Sequence, residues 1–96
     1  MTTLEGIKNR LTQLKPELAE KYGVSSIGLF GSVVRDDFTP SSDIDIVVDF
    51  SKPIGIEFVD MADYIEEVLN RRVDVVSRNG IKPKYWNVIE PEIIYV

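Results

Sequence analysis

The stretch from residue 31 to residue 45 holds two kinds of group that a phosphorylated ligand could use. It opens with Gly31-Ser32 and closes with Asp43 and Asp45, one residue apart. A glycine–serine turn offers backbone N–H groups and a hydroxyl to phosphate oxygens. Two carboxylates would repel those phosphates, but they bind hard divalent cations through oxygen. Both ends of the stretch can therefore serve one ligand, a nucleoside triphosphate that carries Mg²⁺.

A third carboxylate, Asp74, extends this candidate site. On a predicted strand, Asp43 and Asp45 share a face with their backbones about 6.6 Å apart. At an effective dielectric of about 20, their repulsion is on the order of 2.5 kcal/mol. Asp74 alternates with Val73 and Val75, so it reaches the same side if the two strands are neighbours. Three carboxylates without histidine or cysteine have the composition of a magnesium site; the alternative is that Asp43 and Asp45 are solvated residues at the start of a strand.

The composition narrows the classes of function. The chain has 96 residues, is 44% hydrophobic and contains neither histidine nor cysteine, so we expect one domain over residues 1–96 without disulfides, Ser-His-Asp catalysis or the usual zinc sites. Its formal charge of −5 argues against direct nucleic-acid binding. Residues 1–20 have no signal-peptide pattern, and no apolar run could span a membrane. The expected location is the cytosol.

The elements that must position the carboxylates follow from hydrophobic periodicity. In chain order, the sequence predicts a helix with an apolar stripe over 4–18, a strand over 24–30, a short helix over 33–37 capped by Ser32, a strand over 43–50, a helix over 58–69, a strand over 72–77, a helix from Pro83 to before Pro91, and a terminal strand over 92–96. Pro16 predicts a kink or restart in the first helix. The fold class is α/β (α+β), with a small mixed sheet flanked by helices.

These motifs resemble those of a known superfamily. Gly31-Ser32, ten intervening residues and Asp43-Ile44-Asp45 are similar to the GS-x10-DxD motif of the DNA polymerase β-like nucleotidyltransferases, and Asp74 stands where that superfamily has its third carboxylate. Over nearly the whole chain the sequence resembles the minimal nucleotidyltransferases of the MNT type, the antitoxins of HEPN–MNT toxin–antitoxin systems. The acidic turn at 34–37 departs from the pattern and bears on triphosphate placement.

The resemblance implies a reaction and a partner. Asp43 and Asp45 would hold two Mg²⁺ ions, Asp74 would complete the metal site and help to deprotonate an acceptor hydroxyl, and Gly31 and Ser32 would fix the triphosphate of ATP. AMP would be transferred to a hydroxyl, expected to be a tyrosine, of a HEPN-family ribonuclease toxin, which would be silenced within a hetero-oligomer.

Four further residues have two interpretations each. Arg35 is a candidate nucleotide-binding residue or an ion-pair partner of Asp37 or another acid. Ser42 is a candidate nucleotide-binding residue or a turn residue. Tyr85 and Trp86 could stack on adenine or a partner, or pack into the core.

Two other functions stay open. The chain could mask its toxin by contact alone, with vestigial aspartates. It could also transfer nucleotides to a small molecule or to a nucleic-acid end, although the absence of an extra substrate domain and the acidity of the chain disfavour both.

Overall fold

The structure, a computed structural model, describes residues 4–35, 38–39 and 41–96. The helices are α1 (Leu4–Tyr22), α2 (Glu57–Leu69) and α3 (Pro83–Ile89), and the strands are β1 (Val24–Phe30), β2 (Ile44–Phe50), β3 (Val73–Ser77) and β4 (Ile94–Tyr95). Short 3₁₀ turns span Gly31–Val34, Arg78–Gly80 and Glu90–Glu92. The predicted α+β class, with helices against a small mixed sheet, is confirmed.

The four strands form one sheet in the order β3-β2-β1-β4. β1 is antiparallel to both β2 and β4, whereas β2 and β3 are parallel. A parallel pair needs a crossover connection, and α2 supplies it between β2 and β3. This crossover makes β3 the direct neighbour of β2 and places it at the edge of the sheet.

One face of the sheet carries the hydrophobic core. Ile44, Ile46 and Val48 of β2 are fully buried and belong to the same cluster as the apolar stripes of α1 and α2. The alternation predicted for this strand is therefore confirmed. Asp45 lies on the opposite face, which we call the open face.

α1 does not restart at Pro16, so that part of the prediction is wrong. The helix continues through the exposed proline, with Leu14 and Leu18 buried on either side of it. A proline inside a helix costs about 3 kcal/mol, and burying each leucine contributes roughly 1.5–3 kcal/mol. Packing of the two leucines against the sheet therefore offsets the lost hydrogen bond.

Other boundaries also differ from the prediction. In place of a helix over 33–37 that Ser32 caps, the 3₁₀ turn Gly31–Val34 contains Ser32, and Ser32 O accepts the N–H of Arg35 at 3.1 Å. Residues 36 and 37 lie outside the described part of the chain. β2 and β3 each begin one residue later than predicted, and the terminal strand is limited to Ile94–Tyr95.

The described helices have one further property in common: each is too short or too polar to cross a membrane.

Candidate active site

Asp45 and Asp74 occupy paired positions on neighbouring parallel strands. Paired residues project from the same face of a sheet, and adjacent strands lie about 4.8 Å apart. The condition under which Asp74 reaches the same side as Asp45, that their strands are neighbours, is therefore met. Asp43 immediately precedes β2, where Ile44 N–H donates to Arg72 O at 3.0 Å and joins the starts of the two strands.

Asp45 is the half-buried member of this group, whereas Asp43 and Asp74 are exposed. Burial raises the pKa of the Asp45 carboxyl above its ordinary value of 3.8, and the charges of Asp74 and Asp43 raise this pKa further, while Arg35 lowers it. These carboxylates therefore repel one another across the open face, and a cation between them would relieve the repulsion.

Gly31 lies directly against the Asp45 side chain. Its φ is +77°, in the region that favours glycine, and a Cβ at this position would collide with the Asp45 carboxylate. Phe30, the preceding residue, pairs with Asp45 in the antiparallel ladder. The glycine–serine turn and the carboxylates thus form one continuous surface.

Asp43 is engaged by a residue that the sequence analysis did not single out. Arg72 Nε lies 3.5 Å from Asp43 Oδ1, with the side chains 82% and 45% exposed respectively. Ion pairs this exposed contribute roughly 0–1 kcal/mol. Breaking this ion pair so that the Asp43 carboxylate can bind a metal ion would therefore cost little free energy.

Arg71 is a second residue that the sequence analysis missed. Its Nη2 donates to the backbone carbonyls of Ser42 at 2.7 Å and Thr39 at 3.2 Å, and its guanidinium lies 4.7 Å from the centre of the Phe38 ring. Arg71 thereby holds the turn that leads into Asp43. The sequence signal that could have identified Arg71 and Arg72 is the pair of adjacent arginines shortly before Asp74 in an acidic chain.

Arg35 and Ser42 both have protein partners. Arg35 Nη1 lies 3.3 Å from Glu92 Oε2, so of its two interpretations the structure shows the ion pair with another acid; Asp37 lies outside the described residues. The Ser42 hydroxyl accepts the N–H of Thr39 at 3.0 Å, which is the turn role. A role for either side chain in nucleotide binding stays a prediction.

The donor set fits Mg²⁺ by its chemistry. All the candidate ligands are carboxylate oxygens, which hard cations prefer, and their mutual repulsion marks the place where positive charge is favourable. Within residues 4–35, 38–39 and 41–96, no three carboxylates already converge closely enough to enclose an ion. Asp43 is instead turned to Arg72, so binding would require it to reorient.

The far end of the open face is occupied by α3. Trp86 is half-buried beneath Arg78, whose guanidinium lies 3.7 Å from the ring centre. It lines a small cavity of about 130 Å³ together with Asp49, four residues beyond Asp45 on β2. Tyr85 is 54% exposed, so core packing is wrong for this residue.

Comparison with known proteins gives consistent matches. A family model described as "Nucleotidyltransferase domain" matches residues 11–96. The protein adenylyltransferase MntA of Thermococcus cleftensis is 41% identical over 97 residues, covering 100% of this chain and 98% of the relative. A candidate protein adenylyltransferase of Methanocaldococcus jannaschii is 40% identical over 98 residues, with 100% of both chains covered.

Solved structures show the same fold. A structure described as a candidate minimal nucleotidyltransferase aligns with a TM-score of 0.82 and 28% identity, over 97% of this chain and 95% of the other. A chain of the complex between the tri-AMPylated HEPN toxin of Shewanella oneidensis and its MNT antitoxin aligns with a TM-score of 0.72 and 19% identity, over 97% and 71% of the two chains. The second likeness concerns the fold alone.

Proposed function

This chain belongs to the nucleotidyltransferase domain family, and we propose that it is an antitoxin that transfers AMP from ATP to a hydroxyl of a HEPN-family toxin. Its similarity to protein adenylyltransferases over its full length supports AMP transfer. The fold that it shares with a chain of the MNT–HEPN complex is consistent with a HEPN partner.

The contact between Gly31 and the Asp45 carboxylate is the observation that carries this proposal. Gly31 belongs to the turn that we propose binds phosphate, and Asp45 is one of the carboxylates that would hold a cation, so their contact supports a single site for both groups. A nucleoside triphosphate needs both on one surface, because its phosphates are anionic and its metal is bound to them. This juxtaposition favours nucleotide transfer over neutralisation by contact alone, which would not require it.

The reaction assigns a role to each residue. Gly31 and Ser32 bind the triphosphate tail, and Asp43 and Asp45 hold Mg²⁺, with two ions expected. When bound, Mg²⁺ supplies positive charge that stabilises the phosphates and the leaving pyrophosphate.

Asp74 faces the acceptor. The acceptor hydroxyl oxygen forms a bond to the α-phosphorus of ATP, the bond from that phosphorus to pyrophosphate breaks, and the hydroxyl proton passes to the Asp74 carboxylate. A tyrosine hydroxyl, whose unperturbed pKa is about 10, is a feasible nucleophile with this help. Tyrosine is therefore the acceptor that we propose.

Intact-mass spectrometry of the toxin tests the proposal. After incubation with this chain, ATP and Mg²⁺, the HEPN-family protein encoded beside its gene should gain one or more increments of about 329 Da, which remain after separation because the linkage is covalent. The Asp43→Asn/Asp45→Asn variant should produce no adduct. Glu20→Gln/Glu90→Gln, which removes the same charge from exposed positions outside the site and outside α2, should label the toxin as the wild type does. No adduct, together with full neutralisation by Asp43→Asn/Asp45→Asn, would instead establish an antitoxin that acts by contact.

A further inference from the structure

The outer edge of β3 offers unpaired backbone groups. Ile44 N–H donates to Arg72 O, and the register pairs Ile44 with Val73, so alternate residues of β3 bond to β2 while Val73, Val75 and Ser77 point their backbone groups outward. The N–H of Val73 is accepted by Glu66 Oε2 at 3.0 Å. The N–H groups of Val75 and Ser77 have no acceptor among the residues that the structure describes. This edge can therefore pair with a further strand.

An apolar groove runs beside the same edge. Its volume is about 600 Å³. Its apolar lining residues are Ile54, Phe58, Val75, Val76 and Ile81. Ile81 is half-buried within this lining. Recognition by strand addition needs both features, because edge hydrogen bonds give affinity and neighbouring pockets receive alternate side chains.

The charge of α2 restricts the occupant, because α2 contributes Phe58 to the groove and Glu66 to the edge of β3. α2 carries five carboxylates and no basic residue. These carboxylates are Glu57, Asp60, Asp63, Glu66 and Glu67. A second copy of this chain would bring an identical acidic helix and a net charge of −5 to the edge, which like-charge repulsion disfavours. A segment with lysine or arginine beside its apolar residues complements the groove.

Asp74 connects this edge to the chemistry. It belongs to β3, and its side chain projects from the open face beside Asp45. In an added strand, the residue opposite Asp74 would project from the same face, with the two Cβ atoms about 4.5–5.5 Å apart. A hydroxyl residue at that position would reach the Asp74 carboxylate.

We propose that the protein acceptor of AMP docks an extended, basic and apolar segment along the outer edge of β3, which presents its hydroxyl residue to Asp74. The inference rests on the proposed function, which supplies the acceptor protein, and adds where that protein binds. It also explains why the third carboxylate lies on an edge strand, where a macromolecular substrate can approach from the side.

Amide hydrogen exchange locates the docking surface without any need for transfer. The full chain is measured alone and with the HEPN-family protein, without ATP. Exchange at Val75 and Ser77 should slow at least about tenfold in the complex, because their N–H groups gain acceptors. Unchanged exchange at both amides in a formed complex would overturn the inference.

Matched substitutions then test the groove. Ile81→Lys, which places a charge in the lining of the groove, should raise the KM for the acceptor protein at least about tenfold, since the added cation repels a basic segment, with little change in kcat. Val88→Lys is the control, because Val88 is 71% exposed on α3 and does not line the groove; its KM should match the wild type. Ser77→Pro removes one outward N–H at a residue whose φ of −84° is close to that of proline, and it should also raise the KM for the acceptor.

The outcomes separate this inference from the proposed function. Slowed exchange at β3 without any AMP adduct would contradict the proposed transfer reaction and support docking at the β3 edge. AMP transfer with equal KM values for Ile81→Lys and Val88→Lys would support the reaction and contradict docking at the β3 edge. A melting temperature for each variant shows that the chain is folded.

Discussion

Arg72 and Asp43 form an ion pair at one corner of the site, with 3.5 Å between Nε of the arginine and Oδ1 of the aspartate. The pair joins the residue before β3 to the residue before β2, and these are the two strands that carry Asp74 and Asp45. A cation bound by Asp43 must compete with Arg72. The ion pair should therefore lower the affinity of the proposed Mg²⁺ site.

Arg72→Ala should lower the Mg²⁺ concentration needed for half of the thermal stabilisation by Mg²⁺–ATP. The exposed pair contributes at most about 1 kcal/mol, so the decrease should be no more than about fivefold. Lys84→Ala, which removes the same charge from an exposed position of α3, is the control. An increase in the required Mg²⁺ would mean that Arg72 itself contacts the nucleotide.

Gly31→Ala should destabilise the protein and weaken ATP binding. The positive φ alone costs a non-glycine residue roughly 1–2 kcal/mol, and the new Cβ displaces the Asp45 carboxylate. Denaturant unfolding and a nucleotide titration measure the two effects. Gly80→Ala is the matched control, since a Cβ there has nothing within 4 Å; equal losses in both variants would show that the contact with Asp45 is unimportant.

Asp45→Asn should stabilise the free protein at neutral pH. The folded-state pKa of Asp45 is raised above 3.8, so between these two pKa values the native state binds more protons than the unfolded state, and stability falls as pH rises through that window. Asparagine avoids this loss. The stability gained by the variant relative to the wild type should be complete above the folded-state pKa of Asp45 and should vanish below about pH 3.8. Urea unfolding across a pH series measures this gain.

The charge-matched control for that series is Asp63→Asn on the exposed face of α2. Its effect on stability should not follow the pH profile of Asp45→Asn, because it removes a charge outside the cluster of Asp43, Asp45 and Asp74. If the gain from Asp45→Asn persists unchanged at pH 3, the ionised carboxylate, disfavoured by burial and then by the charges of Asp74 and Asp43, is not its cause.

Asp74→Asn should separate nucleotide binding from transfer. If Asp74 receives the acceptor proton, the variant should keep most of its affinity for Mg²⁺–ATP and lose transfer by roughly 100-fold or more, the usual scale of a general base. Asp43→Asn should reduce both. Affinity is measured by thermal shift and transfer by intact mass; equal losses of affinity in the two variants would make Asp74 chiefly a metal ligand.

Local patterns predicted the elements well where one face of an element is buried. The alternation in β2 assigned Ile44 and Ile46 to the core side, because side chains of a strand alternate whatever its neighbours are. Pro83 correctly marked the first residue of α3. The restart at Pro16 and the helix capped by Ser32 were predicted wrongly, because the outcome there depends on packing against the sheet and against Asp45.

The sequence by itself determined the candidate residues for the proposed chemistry: a glycine–serine turn and three aspartates in a chain without histidine or cysteine. Only the tertiary structure decided that Asp45 pairs with Asp74, that Gly31 touches the Asp45 carboxylate, that Arg72 holds Asp43, and that β3 lies at the edge. The reason is physical. Alternation within one strand is local, whereas register and strand order depend on how α2 crosses over and packs, which brings together residues about thirty positions apart in the sequence.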